Sequence, residues 1–184
     1  MDKETLLALW VANFERLTQA LEGVPQEALT ERFDQDLVQA LDLPDEVDHW
    51  SIKAICALLT AWDGEILRRL KYQTGELFDE PQDWQDVAYW TAWGFKQLEI
   101  KRVMSMQGVL VDMIGTRQRL LSQLADLNDF QFDRWLEADP QATQAYYIDY
   151  VTKVEHWRQV RESRRPPENR LRGLWNVVKA RFGN

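Results

Sequence analysis

The sequence predicts an all-α fold, a four-helix bundle with a short additional helix at its C-terminal end. Three observations carry this. Apolar residues recur at three- and four-residue steps over long stretches, which is the helical period. No stretch of useful length alternates apolar with polar, so no strand is indicated. The long periodic segments are joined by connections of about ten residues or more, which suits a bundle with at least one crossover.

The elements follow in chain order. Leu6, Trp10, Asn13, Phe14, Leu17 and Leu21 set one face of a first helix from about Lys3 to Glu22, ended by Gly23-Val24-Pro25. A short helix is expected near Glu27–Ala40. Pro44 and a cluster of aspartates then make LDLPDEVDHW a loop. Ser51 is an N-cap for a second long helix, whose stripe is Ile52, Ile55, Cys56, Leu59, Ile66 and Leu70. It runs to about Gln73, with Gly75 just past its end. After the loop ELFDEPQDWQ, a third helix is expected from about Asp86 to Asp126, bent near Gly94. Phe95, Leu98, Val103, Met106, Leu110, Met113, Ile114, Leu121 and Leu124 mark its core face. Asn128 to Leu136 reads as a connecting helix. Pro140 opens a fourth long helix from about Gln141 to Arg164, stopped by Pro166-Pro167. Leu171, Leu174, Trp175, Val178 and Phe182 give a last amphipathic helix.

Composition removes options. The chain has 184 residues, 45% hydrophobic and 28% charged, an ordinary globular balance that suits one domain. No apolar run is long enough to span a bilayer. The N-terminal stretch is charged and amphipathic, unlike a signal peptide. A single cysteine, Cys56, excludes an internal disulfide and any cysteine-rich metal site. These features make cytoplasmic the expected location. The eight glycines form no phosphate-cradling loop. Charge is uneven: residues 153–184 carry nine basic against three acidic residues, leaving thirteen against twenty-seven in the rest. An acidic body repels phosphate backbones, so no nucleic-acid partner is expected. The basic residues Arg158, Arg161, Arg164, Arg165, Arg170, Arg172, Lys179 and Arg181 are expected to pack back on that body.

Nine tryptophans stand out. Most are expected to fill the interior, with Trp62 and Trp90 or Trp93 as pocket walls. Nucleophilic chemistry lacks support: Cys56 sits on a buried stripe, and His49 is expected exposed in a turn between Asp48 and Trp50. Asp63 and Glu65 follow Trp62. Paired acid–base work would need a second carboxylate from another helix, with Asp112, Asp149 and Glu155 as partners. A solvated helix face is the plainer reading for each.

Two segments resemble a known family. WSIKAICALLTAWDGEILRRL (Trp50–Leu70) resembles the second helix of the DinB/YfiT-like superfamily, and YVTKVEHWRQVRE (Tyr150–Glu162) resembles its fourth. Between them, RQRLLSQLADLNDFQFDRWL (Arg117–Leu136) is similar to the end of the third helix and its connector. Within that superfamily the chain resembles the ClbS/DfsB-like branch. The resemblance covers most of residues 1–165 in element order and implies a four-helix bundle, a homodimer and, in many members, a divalent metal held by three histidines. One histidine comes from helix two and two come from helix four, four residues apart so that they share a face. The corresponding positions are Leu58, Thr152 and His156. With one imidazole left, no metal and no cofactor are expected.

The expected domains are therefore a bundle over 1–165 and a basic helical extension over 166–184 packed on it. The favoured functional reading is a metal-free DinB-like bundle binding a small molecule between helices two and four, in a pocket lined by Leu58, Trp62, Thr152, Glu155 and His156. A second reading is an interaction or oligomerisation module. A third is a metal-dependent transferase or hydrolase with atypical ligands. No membrane partner is expected in any of them.

Overall fold

The computed structural model describes residues 2–79, 86–138 and 142–164. Among these residues the protein is all-helical, with no strand. The elements are α1 (Lys3–Leu21), α2 (Gln26–Thr30), α3 (Gln35–Ala40), α4 (Ile52–Gln73), α5 (Val87–Arg102), α6 (Met106–Asp126), α7 (Asp129–Ala138) and α8 (Ala142–Arg164). The expected C-terminal helix, the boundary at 165/166, Pro140, Pro166-Pro167, Trp84 and Trp175 lie outside the described residues.

Helix ends follow local chemistry. The Asp2 carboxylate accepts from the Thr5 amide at 2.8 Å and opens α1. Ser51 Oγ accepts from the Ala54 amide at 3.1 Å and opens α4. At the far end of α4 the Glu76 amide returns to the Lys71 carbonyl at 2.8 Å, a wrap that needs the left-handed backbone of Gly75, φ +81°.

Two expected elements divide further. The short helix near Glu27–Ala40 is two, because Asp34 starts α3 by accepting from the Leu37 amide at 2.8 Å. The single helix expected over Asp86–Asp126 is also two. It is continuous through Gly94 and breaks at Val103–Ser105, where Ser105 Oγ accepts from the Gly108 amide at 3.0 Å and starts α6. Lys53 Nζ holds the turn from across α4, donating to the carbonyls of Arg102 at 2.9 Å and Met104 at 3.0 Å.

The four longest helices meet in a ring. α4 packs on α6 and α8, and α1 packs on α6 and α8, while α5 packs principally on α4. Their apolar stripes form two clusters. One gathers Leu17, Phe33, Trp50, Ile55, Leu59, Met106, Met113, Val151 and Val154. The other gathers Leu6, Trp10, Ile66, Leu70, Leu120, Leu124, Phe132 and Trp135. Between them along the helices lies a layer of buried polar residues: Asn13 on α1, Thr60 and Asp63 on α4, and Thr116 and Arg117 on α6.

Candidate functional site

Three polar residues of that layer, Asn13, Asp63 and Arg117, sit where their helices would otherwise present another apolar side chain. On α1 the inward positions are Leu6, Trp10, Asn13 and Leu17; on α4 they are Leu59, Asp63, Ile66 and Leu70; on α6 they are Met113, Arg117, Leu120 and Leu124. Helical geometry therefore turns Asn13, Asp63 and Arg117 into the interior at about the same level.

Asp63 is 0% exposed and Arg117 2%. Arg117 Nη1 donates to Asp63 Oδ1 at 2.8 Å, and Arg117 Nη2 donates to the Trp10 carbonyl at 3.0 Å. The guanidinium also lies over two rings, 4.6 Å from the Trp10 centroid and 4.2 Å from that of Tyr147. Burial pushes the Asp63 carboxyl up from 3.8 to about 6, against the pull of the neighbouring guanidinium. Burial, with Asp63 nearby, also raises the Tyr147 phenol.

Beside this pair is a cavity of about 10 Å³, enough for one water-sized group. It is lined by Trp10, Asn13, Trp62, Asp63, Ile66, Arg117, Tyr146 and Tyr147, so all four long helices contribute. Four buried polar atoms of the lining have no partner among the described residues: Trp10 Nε1, Asp63 Oδ2, Arg117 Nε and Tyr147 Oη. Of the lining residues only Trp62 and Tyr146 are part-exposed, so they form the rim. Their ring centroids are 4.8 Å apart, and the tilted rings of Trp90 and Trp93 pack against Trp62 at 5.4 and 5.1 Å.

The residues expected to form a pocket are dispersed. Trp62 reaches the cavity. Leu58 is 4% exposed and lies against α5, where a methyl group on Gly94 would sit 3.6 Å from Leu58 Cδ1. Thr152 and His156 are exposed, contrary to the expectation that both share an interior neighbourhood with Leu58. The buried face of α8 is Tyr147, Tyr150, Val151, Val154 and Trp157, and the helical period turns 152 and 156 away from it. Thr152 Oγ donates to its own helix, to the Ile148 carbonyl at 2.9 Å. Glu155 is half-buried and takes a two-pronged bridge from Arg16, at 2.9 and 2.6 Å. Arg16 also donates to Asn13 Oδ1 at 3.0 Å, which links Glu155 to the edge of the central layer.

Asp63, Glu65 and His49 also depart from their expected placements. Asp63 and Glu65 are buried, not solvated. Glu65 accepts from Arg68 at 2.8 and 2.7 Å and from Arg69 Nε at 3.1 Å. Asp112 pairs with Lys101 across the α5–α6 turn, and the exposed Asp149 pairs with Lys153 at 3.0 Å. His49 is half-buried, its Nδ1 2.9 Å from Asp48 Oδ1. Cys56 is buried as expected, and burial pushes its thiol up to about 12. In the basic stretch, Arg158 donates to the Gln19 carbonyl of α1 and to Glu162, and Arg161 lies 4.0 Å from Glu31. Arg165 and the basic residues after it lie outside the described residues.

Among the described residues, no three His, Cys, Asp or Glu side chains converge on a point that could hold a metal ion, and no helix is long and apolar enough to cross a membrane. The chain matches no protein-family profile, no curated protein sequence and no solved structure.

Proposed function

We propose that the chain is a DinB-like four-helix bundle without the histidine metal centre of that family, and that it binds a small molecule at the polar layer between the two halves of its core. The ring of α1, α8, α4 and α6 supports the bundle, and the motifs at Trp50–Leu70 and Tyr150–Glu162 fall on its second and fourth long helices, α4 and α8. The binding reading rests on one observation: a water-sized cavity with four unpartnered buried polar atoms, behind two part-exposed aromatic rings. Unpaired buried polar groups are costly, and folded proteins retain them mainly where something else supplies the partner. In solution a water fills that role, and a ligand that displaces it inherits its hydrogen bonds.

The test is a screen of soluble compounds under about 300 Da by thermal shift, followed by the indole N–H resonances of Trp10 and Trp62. Binders are expected to move both resonances saturably, and Asp63→Asn is expected to weaken them. A screen in which every stabilising compound leaves both indoles unmoved removes the reading.

A second reading, that two chains pair, is favoured by the outer face of α6. Val111 is 65% and Ile114 41% exposed, and Ile114 borders an apolar groove with Leu21, Leu110 and Met113. Sedimentation of the protein and of Val111→Asp tests it: a dimer that the substitution dissociates supports pairing there, and a monomer at all concentrations excludes it.

A further inference from the structure

We propose that the central site takes an uncharged hydroxyl head carried on an apolar or aromatic body, and that it discriminates against anions, cations and molecules with no polar head. This rests on the binding reading above and specifies the chemistry it selects.

The argument begins with charge. The carboxylate of Asp63 and the guanidinium of Arg117 already compensate one another at 2.8 Å, and the other lining residues are uncharged. A ligand cation brought to Asp63 also meets Arg117. An anion brought to Arg117 meets Asp63. Neither ion finds a spare counter-charge to offset its lost hydration.

Size comes next. A cavity of about 10 Å³ admits one heavy atom with its hydrogens. A carboxamide or a carboxylic acid carries three heavy atoms at its head and does not fit. A hydroxyl does.

The donors and acceptors then match. The unpartnered set is one acceptor, Asp63 Oδ2, and three donors, Arg117 Nε–H, Trp10 Nε1–H and Tyr147 Oη–H. A hydroxyl donates once and accepts twice. It can donate to Asp63 and accept from two of the three donors, reproducing what a trapped water does while bringing a carbon body with it. That body meets the rim, where Trp62 and Tyr146 stand 4.8 Å apart as an aromatic wall.

Four probes of nearly equal size separate the outcomes: benzyl alcohol, toluene, benzylammonium and benzoate, each titrated into the full chain at pH 7.5 while the Trp10 and Trp62 indole resonances are followed. Benzyl alcohol is expected to bind about tenfold tighter than toluene, with both ions weaker than toluene. Tyr147→Phe keeps the ring and deletes the hydroxyl, and is expected to narrow the gap between benzyl alcohol and toluene. The head-group inference is overturned if benzoate or benzylammonium binds as tightly as the alcohol, if toluene does, or if Tyr147→Phe leaves the gap intact. In each of those cases the indoles still respond and the binding reading stands. If none of the four moves either indole, this inference falls, and the binding reading stands or falls by the wider compound screen.

Discussion

Asp63 Oδ1 on α4 and Arg117 Nη1 on α6 stand 2.8 Å apart at the level where the apolar core divides, with both side chains shielded from water. Removing one partner strands the other. Arg117→Met is expected to destabilise the fold by about 3–5 kcal/mol. The joint change Asp63→Leu plus Arg117→Met should recover most of that loss, because it removes both charges at once. Urea denaturation of the two single variants and the double variant measures the coupling; additive losses would show that the pair does not act as a unit.

The same carboxyl gives a pH dependence whose sign runs opposite to that of a surface ion pair. Its folded-state value, about 6, lies above the ordinary 3.8, so the folded state holds the proton more tightly than the unfolded chain. The stability this supplies is fully present below about pH 4 and is lost as pH rises through about 6. Asp63→Asn does not titrate. The stability of the wild type relative to Asp63→Asn is therefore expected to fall between about pH 4 and 7 and then level off. A relative stability that climbs over that range contradicts the burial argument.

Leu58, Thr152 and His156 supply a direct test of the family alignment. Leu58 is buried against α5, and the other two face out from α8. The double change Leu58→His plus Thr152→His should create no zinc or nickel site, because three imidazoles held on different sides cannot reach one ion at bonding distance. Leu58→Ala alone should cost about 2–5 kcal/mol, as for a filled core position. Stoichiometric metal in the double variant by elemental analysis would mean that α4 and α8 face each other differently.

Cys56 should behave as a small apolar residue. Its thiol is fully buried and pushed up to about 12, so the nucleophilic thiolate is scarce near neutrality. Modification by a disulfide reagent is expected to be negligible in the native protein and to track unfolding in denaturant. Rapid stoichiometric labelling of the native chain would show an access route to the interior.

The fold class was legible because α1 and α4 each carry an apolar stripe. Ser51 sits one residue before the first turn of α4, and Gly75 sits just past its end. The break between α5 and α6 was hidden. Leu98, Val103 and Met106 keep the apolar pattern alive across it, and the local signals are Lys101 and Arg102 in the last turn of α5 and Ser105 as the cap that starts α6. The site was harder to see. Pairwise proximity of Asp63, Arg117 and Tyr147 is a tertiary fact that spacing within one helix cannot supply. A signal was nevertheless present: a polar residue in a stripe stepping by four, three and four residues, as at Asn13, Asp63 and Arg117. Reading Asp63 as solvated missed that it occupies such a step. The interior placement expected of Thr152 and His156 differs for the converse reason, since the two share a face of α8 that is not its inner one.

The attachment of α5 has a consequence for how the protein opens. Trp90, Gly94 and Leu98 seat α5 principally on α4, whereas α4 is enclosed by α5, α6 and α8. A helix with one broad neighbour gives up a single interface when it detaches, so its backbone amides exchange with solvent through a partial opening less costly than global unfolding. Lys53 fastens the C-terminal end of α5 through the carbonyls of Arg102 and Met104, and Trp62 and Arg69 on α4 hold Trp90 nearer its start. An opening that detaches α5 is expected to part Trp90 and Trp93 from Trp62 while the mutual packing of α1, α8, α4 and α6 stays in place.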